Sequence, residues 1–271
     1  MRISRRSRGP VSTLTPVDSS IDVVPRRERL VAVSSLVSVA GLAWLYLYVM
    51  AADMNAAVNP ALVPAPHPFD PPMLALTFLM WVVMMIGMML PSATPAILTY
   101  GALVRKHGER GNLLPGVWIF AGGYLLTWTA FSVIATLLQA GLEHVALLDS
   151  AMTSASTRLS AIVLIVAGIW QMTPLKTICL SKCASPLELF VMHWRNGVGG
   201  ALRMGVEHGA YCVGCCWALM LLLFVAGVMN LLWVAVISIF VLAEKAWPGP
   251  VLSRLSSGAL LAAGVVLLFR A

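Results

Sequence analysis

Long, nearly uncharged hydrophobic runs recur along the chain, with short polar segments between them. A run of about 20 apolar residues is long enough to cross a bilayer as a helix. The candidate spans are residues 30–50, 72–100, 113–138, 159–175, the two halves of 211–243, and 251–269. We divide the 211–243 run near Gly227 to Asn230 because it is too long for one span. The pattern predicts an all-α membrane bundle of about seven transmembrane helices, with residues 30–271 forming one helical transmembrane domain.

Positive charge is distributed unevenly along the chain. Residues 1–29 contain seven arginines among Ser, Thr and Pro and have little apolar content, which predicts a disordered basic cytoplasmic tail. If the N-terminus is cytoplasmic, every Lys and Arg except Arg158 and Arg270 falls on the inner side. We therefore expect a multi-pass membrane protein with its N-terminus inside and its C-terminus outside.

The overall composition agrees with a membrane location. The chain is 59% hydrophobic and 11% charged, with a mean hydropathy of +0.88, which excludes an ordinary soluble domain and a disordered chain. The net charge of +7 is concentrated in the tail, so it favours a lipid bilayer as partner over nucleic acid. The predicted outer loops lack Lys and Arg and could attract cations, but we favour the interpretation that this composition is a consequence of topology. Their charged and titratable residues are Asp53, His67, Asp70, Glu143, His144 and Asp149.

The longest predicted inner segment contains a helix signal of its own. The sequence Ser185-Pro186-Leu187-Glu188 is typical of a capping box that opens a helix at Pro186. Apolar residues follow at helical spacing as far as Val198. This predicts an interfacial helix near residues 186–200.

Methionines are concentrated in the second predicted span. Met80, Met84 and Met88 recur at intervals of four and therefore share one face of a helix. Thioethers are soft, neutral ligands that suit Cu(I), so the stripe predicts a relay for that ion, with core packing as the alternative. Pro91 and Pro95 are expected to end this helix and to leave carbonyl groups that neighbours must satisfy.

All five cysteines lie between residues 179 and 216, on the predicted inner side. Thiols in the cytosol are kept reduced, so a cluster there favours metal binding or redox chemistry over a structural disulfide. Cysteines and one histidine fall at helical spacings that place them on neighbouring turns. The predicted metal ligands are Cys179, Cys183, His208, Cys212, Cys215 and Cys216. Such a set suits Cu(I), with Zn(II) as the alternative metal and simple packing of the thiols as the competing interpretation.

Glu207 and the pair Glu244-Lys245 are charged residues within or beside the predicted spans. Glu207 is the expected charge-balancing partner of the metal site. Glu244-Lys245, at the inner end of the sixth predicted span, is either an interfacial anchor or a functional ion pair. We favour the anchor.

Three sequence blocks resemble a family of bacterial proteins described as predicted metal-binding integral membrane proteins. The family is catalogued as domain of unknown function 2182 and sometimes labelled copper chaperone. The blocks are residues 80–92 (MWVVMMIGMMLPS), residues 171–176 (QMTPLK) running into Cys179 and Cys183, and residues 202–217 (LRMGVEHGAYCVGCCW), continuing to Glu244-Lys245. The resemblance covers about residues 72–248 and implies a metal-linked role, with copper as the metal.

The leading hypothesis is a multi-pass protein of the bacterial inner (plasma) membrane that binds Cu(I) for transport, delivery or insertion through the Cys/His cluster and the methionine-rich helix. The expected partner is a copper-receiving membrane or periplasmic protein. One alternative is a membrane thiol-disulfide oxidoreductase that uses Cys212 and Cys215. The other is a structural subunit of a membrane complex. The sequence favours a protein without catalytic residues of its own and predicts no oligomeric state.

Overall fold

The computed structural model describes residues 26–56, 69–106, 114–148 and 156–270, and this part of the chain is all-α. Its helices are α1 (Arg26–Ala56), α2 (Pro71–Lys106), α3 (Leu114–His144), α4 (Thr157–Met172), α5 (Pro174–Ala184), α6 (Leu187–Met192), α7 (Gly197–Ala226), α8 (Leu231–Ala246) and α9 (Pro250–Arg270). Most of the predicted tail lies outside the described residues, as do His67 and Asp149 of the predicted loops. Residues 26–29 form the first turn of α1.

In the described part of the chain, five helices are long and apolar enough to cross a membrane: α1, α2, α3, α7 and α9. A sixth span is available if α4 and α5, which meet at a bend of 68°, are counted as one broken span. Helix α8 has 16 residues and is about 24 Å long, which is less than the ~30 Å hydrocarbon core. The all-α fold with several apolar helices is confirmed, while seven spans and their orientation stay predictions.

The break predicted inside the 211–243 run is confirmed. Helix α7 ends at Ala226 and α8 begins at Leu231. Gly227 has a φ of +93°, a backbone conformation that residues with a side chain rarely adopt. This turn returns the chain through the bundle, so α7 and α8 present their polar residues to the same interior.

The prediction that Pro91 and Pro95 end the methionine-rich helix was wrong, because α2 runs through both prolines. Pro91 has no N–H to offer the carbonyl group of Gly87. That carbonyl accepts a hydrogen bond from Trp44 Nε1 of α1, at 3.2 Å. A neighbouring helix thus satisfies the freed carbonyl group, as membrane helices with internal proline require.

The predicted interfacial helix is shorter than expected. Helix α6 spans only six residues, begins at Leu187, and has no side-chain hydrogen bond from a capping residue. Residues 193–196 are not helical, and Gly197, with a φ of +77°, opens α7. The buried Phe190 contributes its ring to the core, which anchors the short helix to the bundle.

Helices α3 and α7 cross at very short distance because glycines replace side chains at the crossing. A methyl group added at Gly205 would lie 2.1 Å from the carbonyl oxygen of Phe120. One added at Gly123 would lie 2.3 Å from the carbonyl oxygen of Leu202. These contacts bring the interior faces of α3 and α7 together, and those faces carry Tyr124 and Cys212.

Replacing Gly123 with Ala is therefore expected to lower the free energy of unfolding by about 1–3 kcal/mol, the usual cost of overpacking. Its neighbour Gly122 provides the control, because a methyl group there meets no atom within 4 Å. Gly122→Ala should leave stability unchanged or raise it slightly, since Ala favours helix. Thermal unfolding of the detergent-purified variants measures both effects, and equal melting temperatures would contradict the close crossing.

Candidate metal centre

Four thiols from two helices meet in the interior of the bundle. Cys183 of α5 interacts with the thiols of Cys212 and Cys215 of α7, and Cys216 interacts with the same two. All four are buried, with exposed fractions of 6% or less. Gly214 permits this approach, because a methyl group at that position would lie 2.9 Å from the Cys179 sulfur of α5. The five cysteines of the chain are all free thiols.

Cys212 lies at the centre of the cluster and has two further partners. The Tyr124 hydroxyl of α3 lies 3.0 Å from its sulfur, and Lys245 Nζ of α8 donates to the same sulfur at 3.0 Å. Lys245 also donates to Ser92 Oγ of α2, at 2.7 Å. Helices α3, α5 and α8 thus supply partners to one sulfur atom of α7, and α2 is linked to it through Lys245. The ammonium group beside the sulfur stabilises negative charge there.

The interpretation of Glu244-Lys245 as an interfacial anchor was wrong. Both side chains are buried in the protein, 3% and 8% exposed, and each has a polar partner. Glu244 forms an ion pair of 2.5 Å with Lys176 of α5, which also donates to Gln171 of α4 and to Ser253 of α9. Glu244 therefore belongs to the polar group around Lys176, and its neighbour Lys245 belongs to the group around Cys212.

His208 lies one turn before Cys212 on α7 and is 1% exposed. Its ring packs against those of Phe120, Tyr124 and Phe190, with centroid separations of 5.8–6.0 Å. Nδ1 is buried and has no hydrogen-bond partner among the described residues. A buried nitrogen without a partner costs free energy, so this atom is suited to accept a ligand.

Two residues proposed from the sequence lie elsewhere. Cys179 is partly exposed, and its sulfur faces Gly214, on a different side of α7 from Cys212. Glu207 pairs with Arg203 one turn away on the same helix, at 3.2 Å, so it is not the charge-balancing partner of the thiols. The charged group beside Cys212 is Lys245.

Met80, Met84 and Met88 face the interior of the bundle and are each 1% exposed. The stripe approaches the thiol cluster at one end, because the Tyr124 hydroxyl that contacts Cys212 also donates to the Met89 carbonyl oxygen, at 3.2 Å. At its other end Trp81 packs on Phe224 of α7, with ring centroids 5.4 Å apart. The stripe therefore lies along the part of α7 that follows Cys212.

The thiols are held by hydrogen bonds in this structure. Within the described ranges, no three Cys, His, Asp or Glu side chains are arranged as a metal-binding group. Cys215 and Cys216 donate to the Cys212 carbonyl oxygen at 3.1 and 3.0 Å, and Lys245 is bonded to the Cys212 sulfur. Binding of a soft cation by these thiols requires that these hydrogen bonds break. The six Cys and His ligands remain a prediction.

Comparison with known proteins identifies the family. A family model named PpoB2 and described as "Copper chaperone" matches residues 78–267, which is well over half of the chain and includes the methionine stripe and the thiol cluster. No curated protein and no solved structure has detectable similarity to the chain. By the extent of this match, the chain belongs to the PpoB2 copper chaperone family.

Proposed function

We propose that this protein is a membrane-embedded copper chaperone whose cargo is Cu(I). In this proposal Cys183, Cys212, Cys215 and Cys216 supply thiolate ligands and His208 supplies an imidazole nitrogen. Sulfur and imidazole ligands of this kind favour Cu(I) among the available metals. Family membership supports copper handling in general.

The observation that carries the proposal is the position of Tyr124. Its hydroxyl group contacts both the Cys212 sulfur and the carbonyl oxygen of Met89. Thiols from one part of the sequence and methionines from another are thereby neighbours in the bundle. A Cu(I) ion leaving the thiols would meet thioether groups next, in the order Met88, Met84, Met80, along a face that excludes water.

The direction of this route follows from the predicted topology. With the N-terminus in the cytoplasm, α2 begins on the outer side and ends on the inner side. The methionine stripe then leads from the thiol cluster toward the periplasm of a bacterial inner membrane. We propose a copper-receiving membrane or periplasmic protein as the partner on that side.

The test is the metal content and Cu(I) affinity of the detergent-purified protein under reducing conditions, measured by elemental analysis and by competition with a chromogenic chelator. We expect tight Cu(I) binding, with sulfur and nitrogen neighbours in the X-ray absorption spectrum. A folded protein that takes up no copper above background would refute the proposal. A reversible Cys212–Cys215 disulfide without bound metal would favour the thiol oxidoreductase instead, and normal copper phenotypes after loss of all thiols would favour a structural subunit.

The relay makes a separate prediction for Met84. Met84→Leu removes a thioether at nearly constant volume, so stability should change by less than about 1.5 kcal/mol. Copper transfer across reconstituted vesicles should slow several-fold, while the affinity of the purified protein for Cu(I) stays unchanged. Met172→Leu, at an exposed position outside the stripe, is the matched control. Equal transfer rates for both variants would show that copper does not pass along the methionine stripe at Met84.

A further inference from the structure

The end of α3 farthest from the thiol cluster carries a hydrogen-bonded chain of buried polar groups. Trp81 Nε1 of α2 donates to Gln139 Oε1 of α3 at 2.8 Å, and Gln139 Nε2 donates to the Glu143 carboxylate at 2.8 Å. Trp81 and Gln139 are completely buried. Trp81, the neighbour of Met80 in the methionine stripe, is thereby connected to the Glu143 carboxylate at the rim of the bundle.

The Glu143 carboxylate is in an electrostatically unfavourable position. It is half-buried and lies next to the last residue of α3, where the helix dipole places partial negative charge. Glu28, Glu207 and Glu244 form ion pairs with basic residues. Among the described residues, no basic side chain forms an ion pair with Glu143. A bound cation would relieve this negative potential.

A polar face of α3 connects this carboxylate with the thiols. Gln139, Thr136, Ser132, Trp128 and Tyr124 follow at intervals of three or four residues and are each at most 4% exposed. Trp128 Nε1 is a buried donor without a hydrogen-bond partner among the described residues, so this residue offers a cation only the face of its ring. Polar side chains inside a membrane bundle are costly, and they commonly mark the path of an ion.

The polar face of α3 and the methionine stripe of α2 meet at both ends. The Trp81 to Gln139 hydrogen bond joins them near Glu143, and the Tyr124 to Met89 hydrogen bond joins them near Cys212. The two faces therefore lie side by side from the thiols to Glu143.

We propose that a cation moves along this shared α2/α3 surface and that Glu143, held in place by Gln139, is its capture site, which attracts a soft cation such as Cu(I) or Ag(I) by charge. This inference rests on the proposed function, because the captured ion is the cargo of the thiol cluster. Glu143 concentrates the cation electrostatically, and the thioethers beyond it select for softness. The site exchanges cargo on the side where α2 begins and α3 ends, the predicted outer side.

The test compares the rate of Cu(I) loading with the equilibrium affinity, in the full chain purified in detergent and supplied with the Cu(I) acetonitrile complex. Glu143→Gln should slow loading by about tenfold, the lower limit for electrostatic focusing, and should remove its dependence on ionic strength. The affinity of the thiol cluster should stay within about threefold of wild type, since the ligands are unchanged. Glu143→Asp, which keeps the charge, should recover much of the rate.

Asp70→Asn is the matched control, because it removes one negative charge at the same end of the bundle, before α2. Loading of Glu143→Gln at the wild-type rate would overturn the inference, as would an equal slowing by Asp70→Asn. Failure of the proposed function is a different outcome, since the wild-type protein would then show no thiol-dependent copper at equilibrium. In that case both the proposed function and the capture site are refuted.

Discussion

Replacing Cys212 with Ser is expected to lower the affinity of the protein for Cu(I) by at least about 100-fold. Loss of a group that only supports a metal ligand typically costs 10–100-fold, so loss of a central ligand should cost more. Cys212 and Cys215 each interact with the three other thiols, and the Cys212 sulfur also contacts Tyr124 and Lys245. A 100-fold change corresponds to about 2.7 kcal/mol of binding free energy.

Cys179→Ser is the matched control for this prediction. Cys179 lies one turn before Cys183 on α5, but its sulfur faces Gly214 and is partly exposed. Its replacement should change the affinity by less than about threefold. Competition with a chromogenic chelator under reducing conditions measures both variants. If Cys212→Ser binds Cu(I) as tightly as wild type, the thiol cluster is not the copper site; equal losses in both variants would extend the site to both sides of α7.

Hydrophobic run length and cysteine spacing predicted much of this molecule, because both are local properties of the sequence. The break at Gly227 to Asn230 followed from the length of a run that exceeds one membrane crossing. The proximity of the thiols on α7 followed from helical spacing alone. Their contact with Cys183 depends on the packing of α5 against α7. The sequence showed only that the cysteines are close together along the chain.

The partners of Cys212 could not be predicted from the sequence because they depend on tertiary packing. Tyr124 is 88 residues away and Lys245 is 33 residues away. A charged pair at the end of a span looks the same whether it faces lipid headgroups or the interior of the bundle. The signal that pointed to the correct answer was the expense of an ionisable residue within a membrane helix, which makes a functional role the default interpretation.

The effect of proline in α2 was also decided by packing. An isolated helix would be broken where Pro91 removes a hydrogen bond. In the bundle, Trp44 donates to the freed carbonyl group of Gly87, so the helix continues. Helix α2 consequently continues through both prolines to Lys106.

Replacing Lys176 with Met is expected to lower the free energy of unfolding by about 3–5 kcal/mol, because it leaves the Glu244 carboxylate buried without its ammonium partner. The two side chains are 1% and 3% exposed and 2.5 Å apart. The pair joins α5 to α8 and, through Ser253, to α9. Arg203→Met, which breaks the exposed pair with Glu207, should cost less than about 1 kcal/mol and is the control.

The double variant Lys176→Met, Glu244→Gln separates the cost of an unpaired charge from the loss of the attraction itself. A neutral amide still accepts from Ser253, so at least half of the lost stability should return. Unfolding of the detergent-solubilised variants by denaturant measures the differences. Copper affinity should fall in Lys176→Met, because a loosened end of α8 also displaces Lys245 from Cys212, and it should recover in the double variant. If Lys176→Met is as stable as wild type, the ion pair does not hold α8 in place, and the position of Lys245 must depend on its own contacts with Ser92 and Cys212.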